Sequence, residues 1–355
     1  MIALLIIVVL LALLLQYLAQ RRGLRGLEAT LSFSEPLVEP GTQFDLILHL
    51  TNRNLAFFPF LRVVIRLPGD IAVDAPPSQL RSDNRGGQYL SVTTWLSPKQ
   101  QLFQHIPVSA NARGRYLVQG LTVYGGDFLG LSEERQSYDQ FLEVVVLPKE
   151  AAEQDMERIS GGFPGDLSVN RFLYEDPVLT VGYRDYTGRE PMKMLSWTQM
   201  ARTGKLMVKQ YDYTLETSVT VILNVACQAE EPEPLVEACY SLARTLCRQL
   251  EEQGIQYAFQ TNAITAGDFA SWQSVSEGLG QRHLLHILEG LGRGLYQPAC
   301  SCETLLERAV RSSDGTHGLL FITPEADPET LRLAALWADR AGVQLWTLIG
   351  QEVSP

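Results

Sequence analysis

The spacing of hydrophobic positions changes character twice along the chain. Ile2 to Leu15 is an unbroken apolar run, extended past Gln16 by Tyr17, Leu18 and Ala19. A helix crossing a bilayer core needs about 20 residues, so residues 1–20 are expected to form a transmembrane anchor with Tyr17 at the interface. A cleaved signal peptide would carry its basic residues before the apolar run and a small-residue cleavage site after it. Here Arg21, Arg22 and Arg25 follow the run. The bias of basic residues towards the inner side then places the N-terminus outside. It predicts a single-pass protein of the cell membrane, with residues 21 onward in the cytoplasm and the helix held by membrane lipid.

From about residue 28 to 150 the rhythm is two. LEATLSFS, QFDLILHLTN, LRVVIRLPG, QYLSVTTWL and QLFQHIPVSA are β-rich and partly alternating, and FLEVVVLPK follows. Turn residues separate them at Glu39-Pro40-Gly41, Asn52-Arg53-Asn54, Pro68-Gly69-Asp70, Asp83 to Gly87 and Ser97-Pro98. Short strands at that spacing predict an all-β, Ig-like antiparallel sandwich. Phe44, Leu46, Leu48 and Leu50 fall on one face of their strand, so His49 is expected on the solvent side.

Residues 151–181 are polar and broken by Ser160-Gly161-Gly162-Phe163-Pro164-Gly165-Asp166, which predicts a linker. These glycines lack a following Lys-Ser or Lys-Thr, so the segment does not read as a phosphate-binding loop.

Beyond 218 strands and helices alternate. SVTVILNVA reads as a buried strand. Leu235, Cys239, Leu242, Leu246 and Leu250 recur every three or four residues over 234–253 and predict a helix, stopped by Gly254. IQYAFQTN, HGLLFITP and VQLWTLIG read as further strands, with helices around 278–291, 301–312 and 325–342. This order predicts a Rossmann-type α/β domain with a parallel sheet over 182–355.

Charge and cysteines narrow the classes. Net charge is −11, so neutralising nucleic-acid phosphates is not expected, and no nucleic-acid partner is predicted. The five cysteines, Cys227, Cys239, Cys247, Cys300 and Cys302, are odd in number and confined to the last third. They form no disulfide framework. His283 and His286 with Cys300 and Cys302 match no common zinc spacing. Cys227 would need a base to act as a nucleophile, and none adjoins it in sequence.

The densest chemistry lies in 182–206, GYRDYTGREPMKMLSWTQMARTGKL. It gathers Arg184, Asp185, Tyr186, Gly188, Arg189, Lys193, Trp197, Arg202, Thr203, Gly204 and Lys205 before an apolar strand. The segment resembles the signature of the DUF58 family, most closely at Trp197 and the Ala201-Arg202-Thr203-Gly204-Lys205-Leu206 run. Arg189 stands where that family has Asp. Arg113-Gly114-Arg115-Tyr116, and the turn at Gly126-Asp127-Phe128-Leu129-Gly130-Leu131, extend the resemblance.

The resemblance implies a von Willebrand factor A-like C-terminal domain and a MoxR-type AAA+ ATPase as partner. It also implies a membrane-anchored adaptor role in assembling protein complexes, without enzymatic activity. Such domains begin a metal site with D-x-S-x-S after the first strand, because a divalent cation needs hard oxygens. Here those positions are Asn224, Ala226 and Gln228, a degenerate set, so no metal and no other cofactor is expected. Glu230, Glu231, Glu233 and Asp327 could recruit an ion at the same edge, or serve as solvated acids near helix starts.

The signature cations have two readings. In one, Lys193 and Lys205 dock an acidic partner, aimed by the Thr203-Gly204 turn. In the other, Asp185 pairs with Arg202, and Trp197 packs the loop against the sheet. A hydrolase acting on cell-envelope material, or a purely structural membrane protein, are the alternatives.

Overall fold

The computed structural model describes residue 24 and residues 26–55, 57–84, 86–126, 133–152, 175–186, 195–213, 218–312 and 318–352. The chain forms two compact units. The first runs to Lys149 and includes Thr265–Asp268 and Leu288–Gly294; the second takes Glu150–Ile264, Phe269–Ile287 and Leu295 onward.

The first unit is built from β1 (Leu27–Phe33), β2 (Leu37–Val38), β3 (Gln43–Asn52), β4 (Phe58–Pro68), β5 (Ile71–Val73), β6 (Leu80–Ser82), β7 (Gly87–Leu96), β8 (Gln101–Ala110), β9 (Gly114–Gly126) and β10 (Glu133–Val146). One sheet has the order β1-β3-β8-β5, the other β2-β10-β9-β4-β7-β6. Both contribute to one core, in which Leu46, Leu48 and Leu50 of β3 join Leu61, Val63 and Ile65 of β4. The alternation in sequence produces this directly, since every second side chain points inward.

The free edge of β1 is closed by side chains. The Gln140 amide donates to the Leu31 carbonyl at 2.6 Å and accepts from its N–H at 2.8 Å, and the Tyr138 hydroxyl donates to the Leu27 carbonyl. Such capping keeps an edge from pairing with another chain. Burial, with Glu28 nearby, pushes the Tyr138 phenol up to about 12.

The first unit also holds an ionic network. Arg293 bonds Glu143 at 2.6 Å and Glu289 at 2.8 Å, while Arg115 holds the other oxygen of Glu143. The Arg293 bond above all holds the Glu143 carboxyl below its usual range.

The second unit contains β11 (Glu175–Asp185), α1 (Trp197–Thr203), β12 (Met207–Tyr213), β13 (Ser218–Leu223), α2 (Pro232–Glu252), β14 (Gln256–Thr261), β15 (Ala263–Thr265), β16 (Ser274–Gly278), α3 (Gln281–Arg293, whose last turn belongs to the first unit), β17 (Gly294–Pro298), α4 (Cys302–Ser312), β18 (Gly318–Thr323), α5 (Pro328–Ala341) and β19 (Leu345–Ile349). The main sheet has the order β16-β14-β13-β18-β19. The strands from β14 to β19 run parallel, and β16 is antiparallel. Every residue of β13 and β18 is buried, as in strands covered on both faces. From β13 the chain passes to β14 on one side and later to β18 on the other. The C-terminal ends of β13 and β18 therefore flank a topological switch point.

The expected fold class began with a transmembrane helix, and here it is corrected. Strand dominates over helix, 47% against 28%, and among the described residues no helix is long and apolar enough to cross a membrane. The longest, α2, has the length but carries Glu233, Glu237, Arg244, Arg248, Glu251 and Glu252. The expected span, residues 1–20, lies outside the described residues. The single-pass placement in the cell membrane, and the lipid contact through an N-terminal helix, therefore have no described helix to rest on. Residues 153–174 of the expected linker and the turn at 127–131 also lie outside the described residues, while 175–181 belong to β11.

Candidate functional site

At the switch point the chain places three uncharged polar side chains. Asn224 follows β13, Asn262 follows β14 and Thr323 ends β18, and all three are almost wholly buried. The Asn224 amide donates to Thr323 Oγ1 at 3.2 Å. Its oxygen accepts from the Asn262 amide at 2.8 Å and from the Ala226 N–H at 3.1 Å. Asn262 in turn accepts from the Val225 N–H at 2.9 Å and donates to the Cys300 carbonyl at 3.2 Å. Buried polar groups need such partners. Here they find them in one another, so the oxygens at this strand tip are committed to hydrogen bonds.

Of the other expected metal positions, Ala226 and Gln228, Gln228 alone has a side-chain oxygen. Ala226 has no side-chain donor, and Gln228 is exposed with its N–H bonded to Glu325 at 2.8 Å. Asp327 caps α5 by accepting from the Thr330 N–H and hydroxyl, and these bonds hold its carboxyl below the usual range. Glu231 and Glu233 stand at the start of α2. Among the described residues, no cluster of three His, Cys, Asp or Glu side chains is placed to hold an ion.

Burial raises the pKa of two thiols here. Burial foremost, and then Glu325, raise the Cys227 pKa, the opposite of what a nucleophilic thiolate needs. Cys302 is pushed up to about 12 by burial, with Cys300 and Asp327 adding to it. His283 is occupied elsewhere: its Nε2 bonds the Tyr257 carbonyl at 2.9 Å and its ring meets Tyr257 edge-on. His286 lies against Phe269.

The signature segment forms a different surface. β11 and β12 pair antiparallel, with Arg184 opposite Val208 and Asp185 opposite Met207. The N–H of Tyr186, the residue after β11, donates to the Leu206 carbonyl. Ser196 caps α1 through the Gln199 N–H, and Gly204 ends it in the left-handed conformation, φ 69°. The Thr203 hydroxyl bonds back to the Gln199 carbonyl and accepts from the Lys205 N–H. No residue of α1 is buried. Trp197 is 57% exposed and Leu206 46%, and Arg184, Asp185, Arg202 and Lys205 are exposed around them. Trp197 is thus more than half exposed, and among the described residues no ion pair joins Asp185 to Arg202. Gly188, Arg189 and Lys193 lie outside the described residues.

Asn262 escaped the sequence reading. Its signal was the polar Thr261-Asn262 pair closing an apolar strand, which becomes meaningful once β14 is known to lie beside β13.

No protein-family model matches the chain, and no curated protein matches it. Among solved structures, a cohesin module of a Clostridium perfringens family 33 glycoside hydrolase is 14% identical; the match covers 34% of this chain and 96% of that one, with a TM-score of 0.24. A CARDB domain from Pyrococcus furiosus is 14% identical over 35% of this chain and 90% of that one, at 0.23. An Escherichia coli alpha-2-macroglobulin is 15% identical over 48% of this chain and 9% of that one, at 0.25. Similarity this slight assigns no function. None of these findings supports the DUF58 or von Willebrand factor A-like assignment.

Proposed function

We propose that the chain is a non-enzymatic adaptor working with a MoxR-type AAA+ ATPase in protein-complex assembly, and that α1 and its flanks make the contact. The observation that carries this reading is the exposure of α1. It is a helix capped at both ends and anchored by β12, yet it buries none of its residues and holds Trp197 and Arg202 at the surface. Large exposed apolar side chains grouped together mark interaction sites. Trp and Arg are the residue types that most often dominate binding energy. The cations around Trp197 suit an acidic surface on the partner.

One further feature supports the reading: the Asn224–Asn262–Thr323 network commits its oxygens to internal hydrogen bonds, which suits a contact that needs no metal ion at that strand tip. The choice of partner rests on the resemblance of the Trp197 and Arg202–Leu206 residues to the DUF58 signature.

The test is capture of the tagged full-length chain from its native cells, with and without ATP. A stoichiometric AAA+ ATPase is expected in the eluate, and it is lost with the double variant Trp197→Ala/Lys205→Glu. Absence of any such ATPase under both conditions, with the captured chain intact, overturns the proposal.

A further inference from the structure

The outward face of the six-stranded sheet contains a trough that the adaptor role does not use. It arises at a bulge. Between Tyr138 and Phe141, β10 has one residue more than β9, and Gly120 sits opposite at φ 71°. A Cβ on Gly120 would lie 2.5 Å from the Tyr138 carbonyl oxygen, so no side chain can stand there. The face is lowered at that point while its neighbours remain raised.

Arg66 and Tyr89 face each other across β4 and β7 on one side of Gly120. Ser137 and Asp139 of β10 stand on the other, and Gln119 beside it. These residues line two adjoining clefts of about 230 and 250 Å³, which share Arg66 and Gln119. From β7 to β10 is three strand spacings, roughly 14 Å. Phe141, 81% exposed, is paired with Gln119 in register and so borders the same area.

The lining decides the ligand class. Arg66 is paired to Asp83 at 3.0 Å and Asp139 lies in the same cleft, so the trough has no excess positive charge to attract an anion. β4 and β9 are hydrogen-bonded on both sides, which leaves no free backbone for an added peptide strand. What remains is a set of donors and acceptors with aromatic rings at its borders: a guanidinium, a carboxylate, an amide, a hydroxyl, Tyr89 and Phe141. Planar polar groups of this kind can each bond two neighbouring hydroxyls, and an aromatic face can cover C–H groups. Concave sites with a few convergent polar groups are the usual binding sites of small ligands. We propose that this trough binds a neutral oligosaccharide.

The test uses the purified full-length chain in calorimetric titrations with cellotetraose, maltotetraose and chitotetraose, and with inorganic phosphate as the anionic probe. At least one of the sugars is expected to bind saturably. Tyr89→Ala and Asp139→Ala are each expected to weaken it about tenfold or more, with the melting temperature unchanged. Phe103→Ala, on the other sheet, should leave the affinity as it was. Failure of all three sugars to bind at about 10 mM, a range that covers very weak affinities, would overturn the proposal. So would binding that survives both trough variants, or phosphate binding that displaces the sugar.

Discussion

At the scale of single residues, Asn224 is the most informative position. Read as sequence, it is a lost carboxylate. In the fold it is the hub of a buried network whose other members come from two neighbouring strands. Asn224→Ala would leave one Asn262 amide hydrogen and the Ala226 N–H without their acceptor, and should cost about 1–3 kcal/mol, read as a lower urea midpoint. Asn224→Asp would place a carboxylate at the strand tip but no hydroxyls at Ala226 and Gln228. Titration of that variant with Mg²⁺ should give no micromolar binding; a micromolar affinity would mean that the backbone alone completes the site. The residue types at these positions were legible because they are read directly from the sequence. The closure of the network was not, because it depends on β14 and β18 lying on either side of β13.

At the scale of elements, periodicity carried the regular parts. β3 spans Gln43–Asn52, as its alternation predicts, with Leu48 fully buried and His49 outward, stacked on Phe103 at 4.1 Å. Leu48→Ala should therefore cost about 2–5 kcal/mol, whereas His49→Ala should change stability by less than about 0.5 kcal/mol, both measured by chemical denaturation. The helix α1 and the short strands β15, β16 and β17 were not anticipated. α1 buries no face, so it has no apolar period to betray it, and its caps alone mark it. The bulge in β10 was equally silent, since Gly120 reads in sequence as one glycine among many.

The contact between the end of α3 and β10 has a pH signature. Glu143 is held below its usual carboxylate range in the folded chain, chiefly by the Arg293 bond. Its contribution is present above the unfolded carboxylate value of 4.5 and is lost as pH falls through the lower folded value. In acid titrations of melting temperature, Glu143→Gln should lower stability at neutral pH and flatten the decline below about pH 4.5. An acid limb unchanged in that variant would contradict the assignment.

At the scale of the whole molecule, the sandwich strands and the later strand–helix alternation follow from two hydrophobic periods, and the chain carries a net charge of −11. The membrane helix rested on the apolar run and on the arginines that follow it; residues 1–20 lie outside the described ones, and the described residues contain no helix that could serve. The role of the signature was the least legible part, because the same arginines and tryptophan suit a docking face or a packed loop until exposure is known. The exposure of Trp197 allows a test that separates stability from binding. Trp197→Ala should shift the melting temperature little while removing partner capture; a large fall would make the ring structural after all.

The most direct measurement is the affinity of the purified full-length chain for the proposed partner, a MoxR-type ATPase, compared with that of Trp197→Ala/Lys205→Glu. The account expects saturable binding by the unaltered chain and a loss of at least about tenfold in the variant, with both proteins equally folded. Equal affinities, or no binding by the unaltered chain with ATP or without it, would contradict it.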